Sequence, residues 1–405
     1  MKHLTFSYSL IHAFFWMSYA ASNSYTSIYL LDAGFTNTQI GTLIASVGLL
    51  SAFLQPVVAS YADRPSSPSL KRIVLTCCLF FIGMAAALIL SNRTIAIVTI
   101  VCYGSLVMLN LLFIPLVNAL GMQSLNQGKN LNFGLARGIG SVAYAVAAYV
   151  IGLLVSLSGS SVAPVCAALL SLCMMAAVQY FPFEKTQSQA ESDKNKPTEP
   201  DAKNSFISSL QYFFSHYRSF CFVLLGYVCS CTCHMMLNNF TFQIIVTKGG
   251  GSAQAGTAMS IAAMAELPTM FLFTYMLKKL HAGTWFKIAS VFFVIKSIGS
   301  LLAPNVPMFY AVQLLQMFAW ALNTVSSVYY VNSVMDKQDA VKGQAYMSMA
   351  FTLGNVLSAL AGGVLIDHAG IHTTIMFATV MGIIGMILVW IHIPTKKAAK
   401  AFPFY

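Results

Sequence analysis

Twelve apolar stretches, each long enough to cross a lipid bilayer as a helix, follow one another along this chain. They run at 5–31, 37–62, 72–91, 94–121, 131–156, 161–181, 219–246, 253–277, 285–303, 307–334, 341–366 and 371–393. A hydrocarbon core of about 30 Å takes about 20 residues of α-helix. Backbone in lipid must also satisfy its own hydrogen bonds, and for runs of this length the helix does so. Composition agrees: 58% of the 405 residues are hydrophobic, 8% are charged, and mean hydropathy is +0.73. The expected fold class is an all-α integral membrane protein with 12 transmembrane helices in two six-helix halves. The opening "MKHLTFSYSLIHAFFWMSYAASNSYTSIYLL" is too long for the apolar part of a secretory leader, so it reads as span 1. Nine cysteines lie almost entirely in apolar segments, which argues against a disulfide framework.

The charges set the expected topology. All but four of the 22 Lys and Arg residues fall at the N-terminus, in or beside the even-numbered loops, or in the tail "TKKAAK". The exceptions are Arg93 and Lys248 on the opposite side, and Arg137 and Lys296 inside spans. The positive-inside rule then places both termini in the cytoplasm, with the chain in the bacterial cytoplasmic (plasma) membrane. The net charge of +11 is thus a topology signal, and no nucleic-acid partner is expected. The polar insert "EKTQSQAESDKNKPTEPDAKNS" (184–205) reads as a flexible linker. It divides the chain into an N-terminal half (1–182), a cytoplasmic linker (183–217) and a C-terminal half (218–405).

The halves echo each other. Pro56 in "FLQPVVASYADR" and Pro268 in "AELPTMFLFTYMLKK" each precede a charged end, 212 residues apart. The glycines closing "VIGLLVSLSG" and "GVLIDHAG" are 211 apart, as a duplicated six-helix unit requires. Polar residues concentrate in the first and fourth helix of each half. Span 1 has His12 and Asn23, span 4 Asn110 and Asn118, span 7 His234, Asn238, Asn239 and Gln243, and span 10 Gln313, Gln316, Asn323 and Asn332. His12, Trp16, Tyr19 and Asn23 share one helical face, as do Gln313, Gln316, Trp320 and Asn323. Such residues are costly in lipid and mark either interhelical hydrogen-bond glue or a polar chamber. The combined pattern favours a chamber between the halves.

Three segments resemble the major facilitator superfamily, and within it the lactose-permease-like oligosaccharide and nucleoside:proton symporters. "IYLLDAGFTNTQIGTLIASVGLLSAFLQPVVASYADR" resembles that group's first loop and second helix, ending in its acid–base signature at Asp63 and Arg64. "NFGLARGIGSVAYA" is similar to a span-5 motif whose arginine binds sugar hydroxyls and whose aromatic stacks on the sugar ring. That implies these roles for Arg137 and Tyr144. "AELPT" resembles a span-8 motif whose glutamate accepts hydrogen bonds from the substrate, which points to Glu266 with Thr269 beside it. The resemblance covers nearly the whole chain and implies the major facilitator fold.

The match has gaps. Asn118 or Ala119 stands where the group has a span-4 carboxylate, and Lys296 where it has an arginine. Gln316 and Ala319 fall where span 10 has the His and Glu associated with proton handling, and His234 replaces a span-7 aspartate. An amide cannot take a proton near neutral pH, so any coupling through H⁺ falls to Glu266, the one acid deep in a span, with Lys296 beside it. Uniport, Na⁺ coupling and exchange stay open. An isolated charge at the bilayer centre costs at least about 2.5–3.5 kcal/mol, so Glu266 is expected to pair with Arg137 across the halves. Asp63 and Arg64 read as a gate or as plain anchors.

"CSCTCH" (229–234) cannot turn three thiolates to one point from a single helix, so no metal is expected. "TKGGGSAQAG" lacks the ending of a phosphate loop. No paired-carboxylate or Ser-His-Asp constellation suggests an enzyme, and no cofactor is expected. The expected protein is a monomeric carrier of a small polar solute, working by alternating access. A sugar or oligosaccharide is the first choice and a nucleoside the second; multidrug efflux is the alternative of the same fold. The expected binding residues are Arg137, Glu266, Tyr144, Trp16, Thr269, His12, Asn23, Asn110, Asn118, His234, Asn238, Gln313, Gln316, Trp320 and Asn323.

Overall fold

The structure is a computed structural model that describes residues 2–62, 67–91, 95–127, 129, 131–182, 213, 215–336 and 339–394. The expected gate pair Asp63 and Arg64, and nearly all of the linker 183–217, lie outside the described residues. Every regular element among the described residues is helical. Spans 2 to 6 are Asn37–Ala62, Leu70–Leu90, Ala96–Asn126, Phe133–Ser158 and Val162–Tyr180. Spans 8 and 9 are Ser252–Leu277 and Ala282–Leu302. Spans 11 and 12 share the helical run Ala340–His392, which breaks at Gly370 (φ 78°, ψ 169°).

Spans 1, 7 and 10 are interrupted. Span 1 joins Lys2–Tyr19 to Thr26–Asp32 through a π-turn at Ala20–Ser24. Span 7 joins Arg218–Asn239 to Thr241–Thr247 across Phe240. Span 10 joins Val306–Gln313 to Trp320–Val334 through a 3₁₀ turn at Leu314–Met317. Each break frees backbone carbonyls that lipid cannot satisfy, so side chains take them. Thr26 Oγ1 donates to the carbonyls of Ser22 (3.1 Å) and Asn23 (2.8 Å). Thr241 Oγ1 donates to those of Leu237 (2.8 Å) and Asn238 (3.0 Å). Thr269 Oγ1, from span 8, donates to the Met317 carbonyl at 2.8 Å. Pro115 likewise frees the Leu111 carbonyl in span 4, which accepts from Gln55 Nε2 at 3.3 Å.

The duplication is visible in the backbone. Among the described residues, the four glycines with left-handed φ form two pairs: Gly34 with Gly249, 215 residues apart, and Gly159 with Gly370, 211 apart. They end spans 1, 7, 5 and 11, the equivalent loops of each half. The break in span 1 ends within "NSYT" (23–26) and that in span 7 falls within "NNFT" (238–241), again 215 apart.

Many large apolar side chains are exposed, Leu90 and Leu157 among them, as a surface facing a bilayer requires. The halves meet most closely at the far end, meaning the end of the bundle away from both termini. A Cβ on Gly41 of span 2 would strike the Ala359 carbonyl of span 11. A Cβ on Gly152 of span 5 would lie 2.9 Å from the Ser252 carbonyl of span 8. Hydrogen bonds between the halves cluster at this end too, including Ser27 Oγ to the Asn239 carbonyl at 2.9 Å.

Candidate functional site

Arg137 stands one turn inside span 5, behind the cap in which Asn132 Oδ1 accepts from the Leu135 N–H (2.9 Å). Its guanidinium lies 4.2 Å from the centroid of the Trp16 ring, and Nη1 donates to Ser141 Oγ at 3.0 Å. Trp16 in turn packs edge-on against Tyr144 at 6.5 Å. The Tyr144 hydroxyl is 2.8 Å from Ser24 Oγ in the π-turn. Arg137, Trp16 and Tyr144 thus form one cluster on the inner side of the N-terminal half. A guanidinium over an indole face is a cation–π contact, which holds the charge without neutralising it.

In the C-terminal half, Glu266 Oε1 accepts from Gln316 Nε2 at 2.9 Å, while Gln316 Oε1 accepts from Lys296 Nζ. One amide therefore joins the acid and the base. The 3₁₀ turn sets Gln316 between them, and the Thr269 bond to Met317 fixes that turn. His234 stacks flat on Trp320, with centroids 4.6 Å apart and planes 10° apart.

The expected pairing of Glu266 with Arg137 is corrected here. The two make no direct ion pair; Arg137 is held by Trp16 and Ser141, and Glu266 by Gln316. The two charges do share a depth. Tyr144 lies seven residues beyond Arg137 toward the far end, and Met259 lies seven residues before Glu266, which is about 10 Å of helix in each case. Tyr144 and Met259 both line a cavity of about 100 Å³ between the halves. Its other walls include Asn23 and Ser24 of span 1, Asn238 and Asn239 of span 7, and Asn355 of span 11. Among the described residues, no charged side chain lines it. An amide-rich chamber thus sits on the far-end side of Arg137 and Glu266.

The other expected site residues serve different places in the fold. Asn23 and Asn238 reach the chamber. Asn110 is fully buried, and its Nδ2 donates to Ser22 Oγ (2.5 Å) and Asn23 Oδ1 (3.2 Å), bracing the π-turn. Asn323 is buried and donates to the Tyr227 hydroxyl at 3.4 Å. Thr269 spends its hydroxyl on Met317. These three act as interhelical glue. Gln313 is buried and Asn118 half-buried, neither against the chamber. His12 is buried against Tyr8 and Phe133, and neither ring nitrogen has a partner; the Trp16 Nε1 has none either. Ser24 and Tyr19 line the chamber without having been expected as site residues. The repeated Asn-x-x-Thr at 23–26 and 238–241 is the sequence signal that marks this level.

The family model described as "MFS_1 like family" matches residues 5–377. Among solved structures, the nucleoside transporter NupG superposes with a TM-score of 0.77 at 14% identity, covering 96% of this chain and 98% of that one. A mutant form of the same transporter gives 0.79 at 13% identity, with the same coverage. A POT family peptide transporter gives 0.68 at 10% identity, covering 96% of each chain. No curated protein matches.

Proposed function

Because the chain belongs to the MFS_1 like family, we propose that it is a secondary transporter that carries a small hydroxylated solute by alternating access. One observation carries this reading: an uncharged, amide-lined chamber between the halves, with Arg137 on Trp16 and the Glu266–Gln316–Lys296 chain at one depth beneath it. Asparagine amides both donate and accept, which suits vicinal hydroxyls. Arg137 adds fixed donors and Glu266 a strong acceptor, and Tyr144 offers a ring face. A sugar fits these groups. A nucleoside is the second reading, supported by the amides that match a base edge and by the nucleoside transporter among the similar folds.

The halves 1–182 and 218–405 rock about this chamber, and 183–217 connects them. With the termini taken as cytoplasmic, the end closed by the contacts between the halves is the outer one. Glu266 is the proposed proton carrier: protonated, it gives up an acceptor that the solute and Gln316 share. The protein catalyses no chemical step in this reading.

Thermal-shift screening of the purified protein against sugars and nucleosides tests it. One class should raise Tm in the wild type, and Arg137→Ala should abolish the shift. Stabilisation only by lipophilic cations, or a shift indifferent to Arg137→Ala, would reject the reading.

A further inference from the structure

Span 2 begins at Asn37, and like any helix its first N–H groups have no acceptor within the helix. Its own sequence solves half of this. Thr36 Oγ1 accepts from the Gln39 N–H (3.2 Å), and Gln39 Oε1 accepts from the Thr36 N–H (2.9 Å), a reciprocal capping box. The N–H groups of Asn37 and Thr38 remain.

Both are taken by Asp367, at the far end of span 11 in the other half. Its Oδ1 accepts from the Asn37 N–H (3.1 Å) and from Asn37 Nδ2 (2.8 Å). Its Oδ2 accepts from the Thr38 N–H (2.7 Å). A carboxylate here also faces the positive end of the helix dipole. Asn37 is held from a third direction, because its Oδ1 accepts from Gln243 Nε2 of span 7 at 2.9 Å. Beside these bonds the helices touch backbone to backbone, and a Cβ on Gly363 would strike the Asn37 carbonyl.

The repeat-related corner has no such group. Ser156 of span 5 stands 211 residues before Asp367, the same offset as the Gly159–Gly370 pair. Its hydroxyl donates to its own helix, at the Leu153 carbonyl (2.8 Å). The Gly251 N–H before span 8 donates to Gln254 Oε1 (2.9 Å), within its own half. The charged cap therefore belongs to one corner and is no by-product of the duplication.

We propose that Asp367 is the latch of the far end. It completes the N-terminal cap of a helix in the opposite half, and opening that end exchanges its three hydrogen bonds for water. The latch thus biases the molecule toward far-end closure while leaving the opening reversible. Its part in transport rests on the alternating-access reading, but the contact is measurable without any solute.

Hydrogen–deuterium exchange of the full-length protein in nanodiscs tests the proposal, comparing wild type with Asp367→Asn and Asp367→Glu. The Asn variant keeps shape and loses charge. Exchange at 36–40 should rise about tenfold, with a parallel rise at the far-end segments 25–32 and 239–247 and none in spans 3 and 9. The Glu variant should recover part of the protection. Unchanged exchange at 36–40 would overturn the latch. So would a rise confined to 36–40, which means a local cap only, or a rise through the whole chain, which means a structural role only. A wild type that moves no solute while the exchange pattern holds would instead fault the transport reading alone.

Discussion

Gln316 joins Lys296 to Glu266, and both Gln316 and Lys296 are buried. A buried ammonium that loses its acceptor is expensive, and a hydrogen bond to a charged group is worth about 1.5–3 kcal/mol. Gln316→Leu should therefore lower stability by about that amount in thermal unfolding. The double variant Lys296→Met/Gln316→Leu should recover much of the loss, because it removes the stranded charge as well. Additive losses would mean that the amide does not serve the lysine. Asp367 yields a pH prediction. Burial alone would raise its carboxyl, but hydrogen bonds from Thr38 and Asn37 outweigh that and hold it down at about 2. A carboxylate held below its free value of about 3.9 stabilises the contact above that free value, and the stabilisation is lost as pH falls through about 2. Far-end protection, corrected for intrinsic exchange rates, should be flat from pH 5 to pH 8. A slope in that range would hand control of the far end to another group.

At the scale of elements, the close helix crossings make the sharpest forecast. A Cβ on Gly41 meets backbone rather than a movable side chain, so Gly41→Ala should force spans 2 and 11 apart. Deuterium uptake at 25–32 should rise as it does for Asp367→Asn, while overall helicity by circular dichroism stays unchanged. Unaltered uptake would mean that the far-end contact tolerates the methyl. The number and order of helices were legible in the sequence, because lipid forces each span to be long, apolar and helical. Their interruptions were not. Hydropathy averages over the break at Phe240 or the 3₁₀ turn at Leu314–Met317, since the apolar flanks outweigh the few polar residues there while only the helical phase changes. That change of phase turns Gln316 toward Glu266 and Lys296.

For the whole molecule, the duplication was legible at two positions, and the structure adds Gly34 with Gly249 and the Asn-x-x-Thr pair. The direct Arg137–Glu266 pair failed because a motif fixes depth along a helix and leaves the partner to tertiary packing. Trp16 and Gln316 were the nearer partners. The two charges remain available on facing halves, and this is the basis for a solute bridging them. Uptake into proteoliposomes under an inward proton gradient tests this most directly, using whichever sugar or nucleoside stabilises the protein. Wild type should accumulate the solute, Arg137→Ala should take up almost none, and Glu266→Gln should equilibrate it without accumulation. Accumulation by either variant at the wild-type level would contradict the account.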